Sequence, residues 1–244
     1  MNYSIAFKTF VEQGLNKYFI GTGYPNAKIL FIGKESAIST DDKEAMKWYS
    51  SNAESWLKHI EGNTCEILEY PVNEDNSLKK GWGKNTWSKY QKLTDYIFEK
   101  KSESFKIDFL KNVFTSEIND DPNKNTTNAN KSGLNGRKLL FKNSDFIQQF
   151  PVVVLACSDY IKNNDELREI DEIFSVTYDG DEKGKHLFSQ GNWFFTHHNK
   201  GNSKLVIHTR QLSANVENTM LQEIGKIIRE HLNKSEGKLL TKSF

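Results

Sequence analysis

One stretch, residues 28–37, constrains the fold of this chain more than any other. Its residues 29–32 are four consecutive large apolar residues, and such a run without polar alternation is typical of a strand buried on both faces of a parallel sheet. The run ends at Gly33, and charged and hydroxyl side chains follow it at once, namely Lys34, Glu35 and Ser36. In an open α/β sheet, ligands bind where the strands end in this way.

Three further segments are predicted to be strands that end in polar residues. They span residues 109–115, 152–157 and 205–208. Together with the helical segments between them, they predict an α/β fold, a three-layer α/β/α sandwich with a central, mostly parallel four-stranded sheet. Because the carboxyl ends of parallel strands share one edge, we expect the polar residues after each strand to converge there.

Apolar residues at helical spacing predict the connecting helices. They cover about residues 4–18, 42–60, 87–98, 139–150, 165–174 and 215–232. Short strands are expected at residues 175–178, 186–188 and 193–196. Neighbouring residues of a strand point to opposite faces, so we do not expect His197 and His198 to bind one metal ion.

Composition narrows the classes of function. At 244 residues, the chain is expected to form a single domain, residues 1–244. Its net charge of +1 argues against a protein that is basic over its whole surface, so any basic surface is expected to be local. The two cysteines, Cys65 and Cys157, are too few for a four-cysteine metal or iron–sulfur site. With no apolar run of transmembrane length, we expect no membrane partner. We further expect a cytoplasmic monomer with no cofactor and no bound metal.

The order of these motifs resembles the uracil-DNA glycosylase superfamily between about residues 27 and 232. Residues 29–37 are similar to the family's first motif, an apolar strand followed by glycine, a variable residue and an acidic or amide residue. Glu35 falls where some branches carry the residue that handles the attacking water. Ser36 stands in place of the family's proline. The resemblance implies that Gly33, Lys34 and Ser36 contact the substrate.

Two further segments match the family in order. Residues 81–93 resemble the segment in which an aromatic side chain stacks on the flipped base, a role that Trp82 or Trp87 would fill. Residues 113–119 resemble the strand that ends in a base-reading asparagine. Here the best-matched positions hold Ser116 and Glu117, and Asn119 is near.

The last match, residues 206–213, resembles the family's second signature, a strand followed by His, Pro and Ser. His208 is retained, whereas the Pro-Ser pair is not. The resemblance implies that Glu35 stabilises charge on the sugar and that a neutral His208 donates a hydrogen bond to the leaving base. The alternatives without a catalytic role are that His208 is a structural histidine and that Glu35 is a solvated loop carboxylate.

The resemblance also implies DNA as the partner, single- or double-stranded. Leu212 would fill the gap left by a flipped base, or else pack under the last helix. Arg210 would bind a phosphate. The remaining predicted DNA contacts are Arg137, Gln211 and Ser213.

Two functions from different classes follow. The first is a metal-independent DNA glycosylase that hydrolyses the N-glycosidic bond of a damaged or modified base. The second is a catalytically inactive nucleic-acid- or nucleotide-binding protein of the same fold, which the departure at Ser36 favours. A flavodoxin-like enzyme is less favoured, because no glycine-rich phosphate loop follows the first strand.

Overall fold

The structure is a computed structural model that describes residues 3–64, 67–70, 72, 76–101, 103–189, 191–213 and 215–240. Cys65 lies outside the described residues, and Cys157 is a buried free thiol. Within the described ranges, no helix is both long enough and apolar enough to cross a membrane.

Among the described residues, eight strands form one sheet. They are β1 (Thr22–Gly23), β2 (Ile29–Gly33), β3 (Phe114–Glu117), β4 (Val152–Leu155), β5 (Thr177–Tyr178), β6 (Lys185–Leu187), β7 (Trp193–His198) and β8 (Leu205–Thr209). The α-helices of the same part of the chain are α1 (Ile5–Gly14), α2 (Lys43–Ser50), α3 (Asn52–Gly62), α4 (Ser77–Lys80), α5 (Thr86–Ile97), α6 (Leu134–Asn143), α7 (Asp145–Gln148), α8 (Glu169–Phe174), α9 (Asp181–Gly184) and α10 (Asn218–Leu240).

The sheet is mixed, with strand order β1-β3-β2-β4-β8-β7-β5 and with β6 paired to β7. Strands β3, β2, β4 and β8 pair in parallel, whereas β1, β5, β6 and β7 join the sheet antiparallel. The α/β class is therefore confirmed, but the expected strand number of four is wrong. The difference arises because tight connections, such as the turn in which the Asn199 N–H donates to the Lys204 carbonyl, return the chain antiparallel to its neighbour.

The apolar run of β2 is buried on both faces, as its sequence predicts. Leu30 and Ile32 pack into one core with α1, α3, α6, α7 and α8, and Ile29 and Phe31 pack into a second core with α5 and α10. All four side chains have no exposed area. Burying a side chain of this size stabilises the fold by roughly 1.5–3 kcal/mol, so these residues strongly favour a central position for β2.

Several predicted elements have different boundaries in the structure. The helix expected at residues 42–60 is two helices that meet at Ser51, and the one expected at residues 139–150 is two helices that meet at Ser144. The Ser144 side chain accepts a hydrogen bond from the Ile147 N–H and so begins a new helix. The first half of the predicted strand at residues 109–115 is a 3₁₀ turn, Phe109–Lys111.

The elements near the carboxyl-terminal end of the chain also differ from their predicted bounds. Helix α8 begins at Glu169 rather than residue 165. Helix α10 begins at Asn218 rather than near Asn215, which has a positive φ of 66° and therefore cannot continue a right-handed helix. The short strands β5, β6 and β7 lie within a few residues of the predicted ones.

The register of the parallel strands brings their polar ends to one edge. Gly33 lies opposite Glu117, and Ile32 lies opposite Leu155, which in turn lies opposite His208. The residues that follow β2, β3 and β4 therefore leave the sheet side by side. We call this the carboxyl edge of the sheet.

Candidate functional site

Glu35 is a buried carboxylate at the carboxyl edge, directly after β2. Its Oε2 accepts a hydrogen bond of 2.6 Å from the Tyr160 hydroxyl and a longer one of 3.5 Å from the Asn119 Nδ2. Burial and the hydrogen bond to Glu35 raise the pKa of Tyr160 above its ordinary value. The Tyr160 hydroxyl therefore keeps its proton, and its hydrogen bond fixes the orientation of Glu35.

Glu117 is the second carboxyl group at this edge. Its Oε1 accepts a hydrogen bond of 2.9 Å from the Ser36 hydroxyl. The residue as a whole is partly exposed, but its Oε2 is enclosed and has no hydrogen-bond partner among the described residues. Burial raises the pKa of Glu117 to about 8, the charge of Glu35 adds to this, and Ser36 and Arg137 act against it. Glu117 is therefore mostly a neutral carboxylic acid near pH 7.

Other enclosed polar atoms of neighbouring elements lack hydrogen-bond partners within the described part of the chain. They are Asn119 Oδ1, Tyr90 Oη, Tyr49 Oη and Arg137 Nη1. The Tyr90 hydroxyl lies 3.3 Å from the position that a Cβ of Gly33 would occupy, so glycine at this position permits a close approach. Because buried polar atoms are normally hydrogen-bonded, each of these atoms retains the capacity to bind a polar group.

Positive charge lies beside Tyr160 at the rim of the carboxyl edge. The Lys34 Nζ is 2.9 Å from the Asp159 Oδ1 and 4.5 Å from the centre of the Tyr160 ring. The Lys131 Nζ lies 4.8 Å from the same ring centre. The Asp159 side chain is 74% exposed, and its hydrogen bond to Lys34 lowers the pKa of Asp159. The two ammonium groups thus flank the ring whose hydroxyl donates to Glu35.

His208 is buried in β8 and is oriented by two hydrogen bonds. Its Nε2 is 2.9 Å from the Ser158 carbonyl oxygen, and its Nδ1 is 3.3 Å from the Asn163 Nδ2. Burial lowers the pKa of His208 to about 4, so the ring is neutral near pH 7. Among the described residues, His208 makes no hydrogen bond to Glu35, and β4 separates their strands.

The two predicted stacking residues contact other aromatic rings. The centre of the Trp82 ring lies 4.8 Å from that of Phe105, and the centre of the Trp87 ring lies 5.4 Å from that of Phe109. The aromatic ring that contacts Glu35 is Tyr160 instead. Sequence reasoning missed Tyr160, although it follows β4 and its polar end by only a few residues, which is the signal that could have found it.

The structure corrects two predicted DNA contacts, because both side chains are buried. Arg137 donates from Nε to the Glu117 carbonyl at 2.9 Å and from Nη2 to the Phe19 carbonyl at 2.6 Å and to the Ser116 Oγ at 3.0 Å. Leu212 has no exposed area and packs in the core with α10, which is the alternative weighed for it. Neither side chain is available to a nucleic acid in this arrangement.

The other residues that were predicted to contact DNA or the substrate lie near strand ends, as expected. Ser116 is buried and donates a hydrogen bond of 2.9 Å to the Ile20 carbonyl, so its hydroxyl supports the fold. Arg210, Gln211 and Ser213 are partly exposed directly after β8. Their contacts with DNA remain predictions.

The two adjacent histidines of β7 contact different partners, as expected for opposite faces of a strand. The His197 Nδ1 is 2.6 Å from the Asp171 Oδ1, and the His198 Nδ1 is 2.7 Å from the Asp179 Oδ2. In the described ranges, no group of three or more His, Cys, Asp or Glu side chains is placed to hold a metal ion.

Two surface cavities of about 690 and 680 Å³ lie along α10. Both are lined by His186 and Glu223, and neither is lined by a predicted site residue. These two cavities thus lie away from the carboxyl edge, where the convergent carboxyl groups are. We place the candidate site at the edge, because it is there that the polar chemistry is buried and incompletely paired.

No family model and no curated protein sequence matches this chain. The fold and the site define an α/β protein with two interacting carboxyl groups at the carboxyl edge of its sheet.

Proposed function

We propose that this protein is a metal-independent hydrolase of the uracil-DNA glycosylase type, which cleaves the N-glycosidic bond of a damaged or modified base in DNA. A three-layer α/β/α arrangement of that family is part of the proposal. One observation carries it. Glu35 and Glu117 leave adjacent parallel strands, and the environment of Glu117 holds it protonated beside the Glu35 carboxylate. A pair of carboxyl groups, one of which donates a proton, is the usual machinery of glycosidic hydrolysis.

Glu35 is assigned to the sugar. Cleavage builds positive charge on the sugar ring, which a nearby carboxylate stabilises while it orients the attacking water. Tyr160 and Asn119 both contact Oε2 of Glu35. We therefore assign its Oε1 to the water.

Glu117 is assigned to the departing base. Cleavage leaves negative charge on the base, which a proton donor neutralises. Because Ser36 donates its proton to the Oε1 of Glu117, the acid proton of Glu117 belongs on Oε2. That oxygen has no hydrogen-bond partner among the described residues, so its proton is not committed to another side chain.

Binding of DNA is assigned to the cationic rim. Lys131 is exposed beside the Tyr160 ring, and an ammonium group at this position would bind a phosphate next to a flipped nucleotide, whereas Lys34 is buried and paired with Asp159. Arg210 and Gln211 after β8 extend the same surface in the proposal.

The test is incubation with oligonucleotides that carry uracil, hypoxanthine, xanthine or a bulky modified base, followed by alkaline cleavage of abasic sites. We expect product with at least one of them and a loss of about 10²- to 10⁴-fold in Glu35→Gln, because the variant keeps the size of the side chain but lacks the carboxylate charge. Glu12→Gln, a change at an exposed position of α1, is the matched control. An unchanged rate in Glu35→Gln would remove Glu35 from its role.

One observation favours the binding protein as the second candidate. The Nε2 of His208, the histidine that the resemblance assigns to the leaving base, is engaged with the Ser158 carbonyl. A protein that kept the pocket and lost the reaction would bind the same oligonucleotides and yield no abasic product from any of them. Fluorescence anisotropy on the four oligonucleotides separates this outcome from the first.

A further inference from the structure

A series of hydrogen bonds, which we call the histidine relay, runs from α8 to the carboxyl edge. The Asn163 Nδ2 lies 3.2 Å from the His197 Nε2 and 3.3 Å from the His208 Nδ1. At one end of the relay, the His197 Nδ1 is 2.6 Å from the Asp171 Oδ1. At the other end, the His208 Nε2 is 2.9 Å from the Ser158 carbonyl oxygen. Both imidazole rings are buried.

This geometry fixes the proton on each ring. The Arg168 Nη1 donates to the Asn163 Oδ1 at 3.0 Å, which sets the orientation of the amide. The Asn163 amide nitrogen then has two protons and donates one to each imidazole. His197 must therefore carry its proton on Nδ1 and His208 must carry its proton on Nε2, and both rings must be neutral.

The relay ends on the segment that orients Glu35. Ser158 begins the 3₁₀ turn Ser158–Tyr160 and has a positive φ of 50°, which costs energy for a residue with a side chain. Tyr160 of this turn donates to Glu35, and Asp159 pairs with Lys34. The hydrogen bond from His208 to the Ser158 carbonyl thus holds both contacts in place.

The charged groups around the two rings come from several elements. Asp171 of α8, Asp179 after β5, and Arg168 influence His197, and the Tyr178 ring lies 5.3 Å from it. His208 faces His197, and it packs against the rings of Trp193 and Phe195 at 5.1 and 6.4 Å. Burial lowers the pKa of both histidines, which agrees with the neutral rings that the geometry requires.

We infer that Asn163 and His208 are positioning residues for Glu35, and that uptake of a proton by His208 releases this position. A protonated His208 would turn an Nδ1–H towards the donating Nδ2 of Asn163, and two donors repel each other. Because Arg168 holds the Asn163 amide in place, the protonated ring would relieve this repulsion by moving away from Asn163. This movement draws the Nε2–H of His208 away from the Ser158 carbonyl, so that the Ser158–Tyr160 turn loses its anchor and Glu35 loses the Tyr160 donor. The inference rests on the proposed function for its catalytic meaning, but the relay itself can be measured without substrate.

The experiment is a pH titration by NMR of the full chain, with ¹⁵N-labelled histidine and ¹³C-carboxyl-labelled glutamate. Near neutral pH we expect His197 as the Nδ1–H form and His208 as the Nε2–H form. On acidification, the Glu35 carboxyl resonance should show a step at the midpoint of the His208 titration. A His208 that carries its proton on Nδ1, or a Glu35 resonance that ignores the His208 titration, would overturn the inference.

Asn163→Asp provides the variant. A carboxylate between the two rings favours their protonated forms, so the pKa of His208 should rise by about one unit or more and the step in the Glu35 resonance should move with it. His198→Asn changes the neighbouring histidine on the opposite face of β7 and should leave both unchanged. Should Asn163→Asp fail to fold, the wild-type tautomers still decide, because a neutral His208 with its proton on Nδ1 could not donate to the Ser158 carbonyl. A wild-type protein with the relay intact but no activity on any oligonucleotide would contradict the proposed function alone.

Discussion

Two titratable residues at the carboxyl edge are kept neutral by burial, and their effects on stability have opposite signs. The pKa of Glu117 is raised to about 8, and the pKa of His208 is lowered to about 4. Each group destabilises the fold where it must ionise inside the protein. The pH dependence of stability therefore reports on the site without any knowledge of the substrate.

Glu117→Gln should remove the decrease in the free energy of unfolding that we expect between about pH 4.5 and 8. The folded pKa of Glu117 lies above the ordinary value of 4.5, so its stabilising contribution is complete below about pH 4.5 and is lost as the pH rises through about 8. The slope reaches at most about 1.4 kcal/mol per pH unit. Urea unfolding of wild type and variant between these limits measures it. Parallel pH profiles would show that Glu117 ionises normally.

His208→Gln should flatten the acid side of the stability profile. The folded pKa of His208 lies below the ordinary value of 6.5, so its contribution is complete above about pH 6.5 and is lost as the pH falls through about 4. The variant has no imidazole to protonate, and its unfolding free energy should therefore fall less over this range. His59→Gln, at a partly exposed position of α3, is the control that should keep the wild-type profile.

At the scale of elements, α10 covers one face of the sheet and Leu212 lies beneath it. Leu212 shares a core with Met220, Leu221 and Ile224 of α10 and with Ile207 of β8. A residue that anchors a helix on a sheet cannot also leave the core to enter DNA without loss of that packing.

Leu212→Ala should therefore lower the free energy of unfolding by about 2–5 kcal/mol, because it leaves a cavity in a packed core. Leu187→Ala, at a position that is 67% exposed, should change it by less than about 0.5 kcal/mol. Chemical denaturation measures both variants. A stable Leu212→Ala protein with weakened DNA binding would instead support the wedge predicted from the resemblance.

For the molecule as a whole, one sheet links both cores. Strands β2, β4 and β8 contribute alternate side chains to the core beneath α1 and α3 and to the core beneath α5 and α10. Because the two cores share these strands, neither core can unfold without removing the sheet from the other. This shared sheet gives the single-domain prediction a physical basis.

We therefore expect a single cooperative unfolding transition. Far-ultraviolet circular dichroism, which follows the helices, and tryptophan fluorescence should give the same midpoint in urea. Two separate midpoints would mean that the cores unfold independently and would contradict the single domain.

Local sequence pattern was enough to predict the elements whose residues are buried on two faces or along one helical stripe. The apolar runs of β2, β4 and β8 and the spacing of α5 place these elements correctly, because burial on two faces or on one helical stripe leaves a signal in consecutive residues. The position of Glu35 after β2 follows from the same signal.

The contacts between polar groups at the carboxyl edge could not be predicted from local pattern, because they join residues that are distant in the sequence. Tyr160 and Glu35 are 125 residues apart in the chain, and Ser36 and Glu117 are 81 apart. Arg137 and Leu212 have residue types that suit a DNA contact, yet their burial depends on neighbours from distant segments. A protonation state or an exposed fraction is set by the groups packed around a side chain, and those groups are brought together by folding rather than by sequence proximity.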